Sequence, residues 1–137
     1  MPLTANDTAG ALTRKRVEAW AAKEEKVTVV AATDAATTQS ADTLAGAGEV
    51  VYTMTPTAGR ALTTPTGAQL GTAFTDEAVG SSFRFSVVNL AASTHAITLT
   101  AGASGVTLVG SATVAAADSA SFVAVFTAAD TVSIYRK

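Results

Sequence analysis

The stretch Phe83-Arg84-Phe85-Ser86-Val87-Val88-Asn89 sets the fold class, because it alternates large apolar side chains with polar ones. Successive side chains of a β-strand point to opposite faces, so Phe83, Phe85 and Val87 lie together on one side of such a strand. Phe122-Val123-Ala124-Val125-Phe126 follows the same period, with Phe122 and Phe126 on one face. Phe83, Phe85, Val87, Phe122 and Phe126 are therefore the expected core of a β-body.

Outward from these two strands, period-2 alternation and β-branched residues predict further strands at 27–32, 49–54, 60–63, 95–100, 106–109 and 131–135, with the two Phe-rich strands at 83–89 and 120–127. Gly102, Gly105, Gly110 and Asp118 punctuate them, as tight turns between short antiparallel strands require. The expected fold is all-β: an antiparallel β-sandwich or jelly-roll-like body of about eight short strands. The segment TDAATTQSADTLAGAG (33–48) is polar and small, and reads as a long loop or an edge excursion. Its length points to function or disorder rather than simple connection.

Only TRKRVEAWAAKEE (13–25) carries a helical pattern. Thr13 can cap it, Val17, Trp20 and Ala21 share a face, and several alanines favour it. An isolated helix of this length is marginal in water and must dock on something. The chain thus divides into an N-terminal arm with an amphipathic helix, residues 1–26, and a β-sandwich body, residues 27–137. Five of the nine basic residues fall in the arm: Arg14, Lys15, Arg16, Lys23 and Lys26. From Ser86 to Ala129 the only charged residue is Asp118. Such a stretch suits a protein some of whose faces meet other subunits.

Composition narrows the function. The 137 residues suffice for one domain. With 31 Ala and 23 Thr, the 48% hydrophobic fraction overstates the large apolar surface available. A net charge of −2 argues against nucleic-acid binding through the overall field. No apolar run is long enough to span a membrane, and MPLTANDTAG lacks the marks of a secretory signal. The expectation is synthesis and retention on the cytoplasmic side until the chain joins a larger assembly. With no cysteine and one histidine, disulfides, thiolate chemistry and multi-histidine metal sites within the chain are excluded.

Chemistry-bearing patterns are sparse. His95 is the lone imidazole, with no acid close by in sequence to orient it, and reads as structural. Asp76 and Glu77 are adjacent and diverge in a solvated turn, whereas glycosidase carboxylates must face one another. Gly46-Ala47-Gly48 is followed by no Gly-Lys-Ser/Thr and makes no phosphate loop. Neither a catalytic residue, a cofactor site nor a metal site is expected. The Arg14-Lys15-Arg16 cluster lies beside Val17 and Trp20, which together form a candidate docking element: cations for an acidic surface and an aromatic anchor. One Trp and one Val give too little apolar area for a membrane-bound helix.

GRALTTPTGAQLGTAF (59–74) and VGSSFRFSVVNL followed by ITLTAG, GVTLVG and VSIYR (79–136) form a pattern covering a little over half the chain. It resembles the small β-domains of tailed-bacteriophage virion proteins, found among capsid decoration (cement), head-fibre and tail-fibre proteins. The resemblance implies a homotrimer of antiparallel sandwiches or jelly rolls and no enzymatic residue. Residues 1–26 lie outside it, where an attachment element specific to one particle is expected. A host-binding tail fibre generally needs a long shaft, for which this length leaves no room. The resemblance and the length together imply a capsid decoration protein on the virion surface, whose partner is the major capsid protein of the head and which stabilises the assembled lattice. The alternative is a short head-fibre or tail-associated adhesion module binding host-surface glycans, for which Trp20, Tyr52 and Tyr135 are the candidate aromatics.

Overall fold

Phe85 and Phe122 stand opposite each other on neighbouring antiparallel strands, and their rings stack at 5.1 Å between centroids. This pair forms the middle of the fold, as the alternation around each residue requires. The computed structural model describes residues 26–75 and 77–137. The predicted 13–25 helix and nearly all of the 1–26 arm lie outside the described residues.

The described chain forms β1 (Val27–Ala31), β2 (Thr37–Thr38), α1 (Ala41–Ala45), β3 (Glu49–Met54), β4 (Arg60–Thr63), α2 (Gly67–Ala73), β5 (Ser82–Asn89), β6 (Ile97–Thr100), β7 (Val106–Val109), β8 (Thr113–Val114), β9 (Ser119–Ala128) and β10 (Thr131–Arg136). A six-stranded sheet has the order β1-β3-β5-β9-β10-β7, and a four-stranded sheet the order β2-β4-β6-β8. Inward residues of both sheets join one buried cluster: Val50, Phe85, Phe122, Phe126 and Ile134 from the larger, Leu62, Ile97, Leu99 and Val114 from the smaller. Phe83 and Val87 are also buried there, and half-buried Phe74 stacks on Phe83 at 4.6 Å.

The fold is mostly β, but its sheets are mixed, and the expectation of antiparallel pairing is corrected. β1, β3 and β5 are parallel neighbours, as are β2, β4 and β6, and β10 pairs parallel with β7. Only β5–β9, β9–β10 and β6–β8 are antiparallel. The cause is the path of the chain. From β1 to β9 successive strands alternate between the two sheets; through β7 a strand returning to a sheet has first crossed the other one and re-enters in its earlier direction, and the direction reverses at β8 and β9. Parallel pairing needs such a crossover, whereas a tight hairpin enforces antiparallel pairing. β9 and β10 are consecutive strands of one sheet, joined by Ala129-Asp130 with Asp130 at φ 52° and a register shift beside it.

The segment 33–48, expected as a loop or edge excursion, holds β2, the edge strand of the smaller sheet, and then α1. The two helices were not expected. Ser40 caps α1 by accepting the Thr43 N–H, and Thr66 caps α2 in a full capping box with Gln69. Gly67 is required where α2 meets the β9–β10 turn, because a Cβ there would collide with the Asp130 carbonyl.

Candidate functional site

The two sheets differ in their outer faces. On the four-stranded sheet, Thr38, Thr63 and Thr100 form one cross-strand row and Ala61, Thr98 and Thr113 another. Threonine suits a solvated sheet, since its branched carbon favours the strand and its hydroxyl bonds water. The six-stranded sheet mixes valine with serine and threonine on its outer face, Ser82, Ser86, Ser121 and Ser133 among them. One row crosses all six strands in register: Val27, Glu49, Arg84, Val123, Tyr135 and Val109. Val29 and Val51 stand side by side in the next row, and Val88 and Val125 also face out. Val27 is 57% exposed and Val29 66%. Glu49 and Arg84 are the only charged residues at the outward positions of these six strands. The Glu49 carboxylate accepts a hydrogen bond from the Ser86 hydroxyl at 2.8 Å.

Two clefts flank β2. One, about 500 Å³, lies between α1 and α2 and is lined by Gln39, Ser40, Asp42, Gln69 and Thr72 among others. The second, about 250 Å³, opens between β1 and β2 beside Tyr52. Gln39 and Tyr52 are each only 4% exposed, yet among the described residues neither amide atom of Gln39 nor the Tyr52 hydroxyl has a hydrogen-bond partner. Burial pushes the Tyr52 phenol up to about 12.

Nearby, an exposed ion pair ties the β1–β2 loop to the β3–β4 loop. Arg60 Nε donates to Asp34 Oδ1 at 2.6 Å, and Thr57 donates to the same carboxylate through its backbone N–H and its hydroxyl. These donors, Arg60 first, hold the Asp34 carboxyl well below the usual carboxylate range. The pairing joins two loops and forms no recess.

Comparison of the chain with family models, curated proteins and solved structures finds no match.

Arg14, Lys15, Arg16, Val17 and Trp20 lie outside the described residues, as does Asp76. Phe83, Phe85, Val87, Phe122 and Phe126 all sit in the buried cluster. Of the aromatics considered for glycan contact, Tyr52 is buried, while Tyr135 is 39% exposed on the outer face of the six-stranded sheet. His95 is half-buried just before β6, and its carbonyl accepts from the buried amide of Asn89 at 2.8 Å. That amide also reaches the Val114 carbonyl, so this loop is tied down structurally. Among the described residues no three His, Cys, Asp or Glu side chains gather to hold a metal ion, and no helix is long and apolar enough to cross a membrane. Which side chains share this outer face was not legible in the sequence, because it depends on strand order.

Proposed function

We propose that the chain is a structural virion protein, a capsid decoration protein that binds the assembled head lattice and stabilises it. The observation that carries this reading is the broad, nearly uncharged outer face of the six-stranded sheet, which suits a subunit of a larger assembly better than a free monomer. The likeness at 59–136 supports it, and those residues span β4 to β10. A homotrimeric sandwich or jelly-roll assembly is the form that likeness favours. The chemistry is mechanical: a ligand that binds only the assembled, expanded lattice stabilises that state by mass action, and many copies sum.

Residues 1–26 are the proposed attachment element, with the major capsid protein as partner. The described residues share one buried cluster, drawn from both sheets and both helices. Deletion of 1–26 is expected to abolish binding to heads while leaving the thermal melt of the body cooperative; full binding by the truncated chain would refute the assignment. Immunogold electron microscopy with antibody to this chain decides its place. Gold spread over heads fits decoration, whereas gold confined to tails favours the adhesion module, for which the hydroxyl- and amide-lined cleft between α1 and α2 is the candidate glycan site.

A further inference from the structure

We propose that the cleft between α1 and α2 binds a neutral sugar, with the buried Gln39 amide as the group that pairs with its hydroxyls. The inference deepens the cleft's part in the adhesion alternative and rests on that reading of the cleft, though not on where the chain sits on a particle.

The first observation is Gln39 itself. It follows directly on β2, its backbone N–H donates to the Thr63 carbonyl, and it stands in the wall of the cleft. Its side chain is buried, and among the described residues neither Oε1 nor Nε2 has a partner. A buried amide with both ends unpaired is disfavoured, and the cleft is the open space beside it. Both atoms are covered by their neighbours, and rotation about the side-chain torsions of Gln39 brings them to the wall. Oε1 accepts and Nε2 donates, so what completes the amide has to donate and accept at once. A carboxylate or phosphate only accepts, and an ammonium group only donates. Adjacent hydroxyls do both.

The second is the rest of the wall. Ser40 Oγ accepts the Thr43 N–H and keeps its own hydrogen to donate. Gln69 Oε1 accepts the Thr66 N–H, which leaves its Nε2 as a donor. The Thr72 hydroxyl donates to the Ala68 carbonyl and can still accept. Asp42 is the only charged residue among the described residues of the wall, and its carboxylate accepts. With no lysine or arginine there, an anionic ligand meets a like charge and no counter-charge. Donors and acceptors thus surround one space, as a neutral polyhydroxyl ligand requires.

The third is form. At about 500 Å³ the cleft falls within the range of small-molecule sites and has room for a hexose. Ser40 and Gln69 are held before a ligand arrives, because each side chain is bonded to the first turn of its own helix. Binding then has less ordering to do. No aromatic ring lies in the wall, so a sugar finds no face to stack on and hydrogen bonds alone hold it. A dissociation constant of about 1 mM or weaker is expected on that ground.

The test is a titration of the isotope-labelled full chain, followed by amide NMR, with glucose, galactose, mannose and N-acetylglucosamine in turn and galacturonate as the acidic control. At least one neutral sugar is expected to shift the Gln39 side-chain amide and the backbone signals of Ser40, Asp42 and Thr72 saturably. Galacturonate is expected to bind about tenfold more weakly or not at all. Gln39→Leu is expected to lose about tenfold or more in affinity while its thermal melt stays cooperative. Thr72→Val and Asp42→Ala, both at exposed positions, are each expected to weaken binding about threefold or more, and they decide the matter where the Gln39 variant does not fold. Thr98→Ala, on the outer face of the smaller sheet, is expected to change nothing. The absence of a saturable shift with every neutral sugar overturns the inference. So does unchanged binding by a folded Gln39→Leu, or by both Thr72→Val and Asp42→Ala, and so does galacturonate binding as tightly as the neutral sugars. Gold over heads with no sugar shift overturns this inference and leaves the decoration reading standing; gold on tails with a saturable shift does the reverse.

Discussion

Tyr52 carries its hydroxyl into the core beside Phe85, whose ring it meets edge-on at 6.4 Å, and no group among the described residues bonds that hydroxyl. A buried polar atom without a partner costs about 1–3 kcal/mol. Tyr52→Phe is therefore expected to leave stability unchanged or raise it by about 1 kcal/mol in urea melts; a clear loss would mean that the phenol is satisfied, by water or a ligand in the cleft between β1 and β2. The neighbouring aromatics behave in the ordinary way. Phe85 is wholly buried and Phe122 nearly so, and truncating either to Ala is expected to cost about 3–5 kcal/mol. The residue scale also sets an acid limit. Because the Asp34 carboxyl lies below its ordinary value when folded, its contribution is fully present above about pH 4 and is lost as pH falls toward the folded value. Asp34→Asn is expected to melt with a shallower decline than the wild type between about pH 4 and pH 2. Parallel curves would show that the pair with Arg60 contributes nothing.

At the scale of elements, the strands were legible and the helices were not. Each long strand alternates large apolar with polar residues, and this signal placed β1, β3, β4, β5, β7, β9 and β10 within a residue or two of their observed bounds. β2 and β8 have two residues each, too few for any period. The helices left a different trace. Thr38-Gln39-Ser40 and Thr64-Pro65-Thr66 begin two similar runs, each with a capping hydroxyl and a leucine four residues after it. Leu44 and Leu70 are both buried in the core. An internal repeat and a Thr-x-x-Gln box were thus present, in windows too short for helical periodicity to show. Thr66→Ala is expected to cost about 1 kcal/mol, since both halves of the box are made. Gly67→Ala is expected to cost more than Thr66→Ala, because the Asp130 carbonyl it meets is backbone and cannot rotate away. Equal melting of the two variants would place α2 farther from the turn.

On the scale of the whole molecule, the path of the chain decides what function can use. Two passes through both sheets before β5 lay β1, β3 and β5 side by side, and the β9–β10 hairpin then completes a six-stranded surface with β7 at its far edge. That surface brings residues as distant in sequence as Val27 and Val109 into one row.

What the sequence by itself determined is local. Side chains alternate along an extended chain, so residue type at every second position assigned most of the strands, the buried faces of β5 and β9, and the aromatic centre at Phe83, Phe85, Phe122 and Phe126. Strand direction, sheet membership and neighbour order carry no such mark, because they depend on where the chain travels between strands. Val51 looks the same in sequence whether its strand has parallel or antiparallel neighbours. Only the tertiary structure decided that successive strands alternate between sheets, that the pairing is therefore mixed, and that residues as distant as Val27 and Val109 share one outer row.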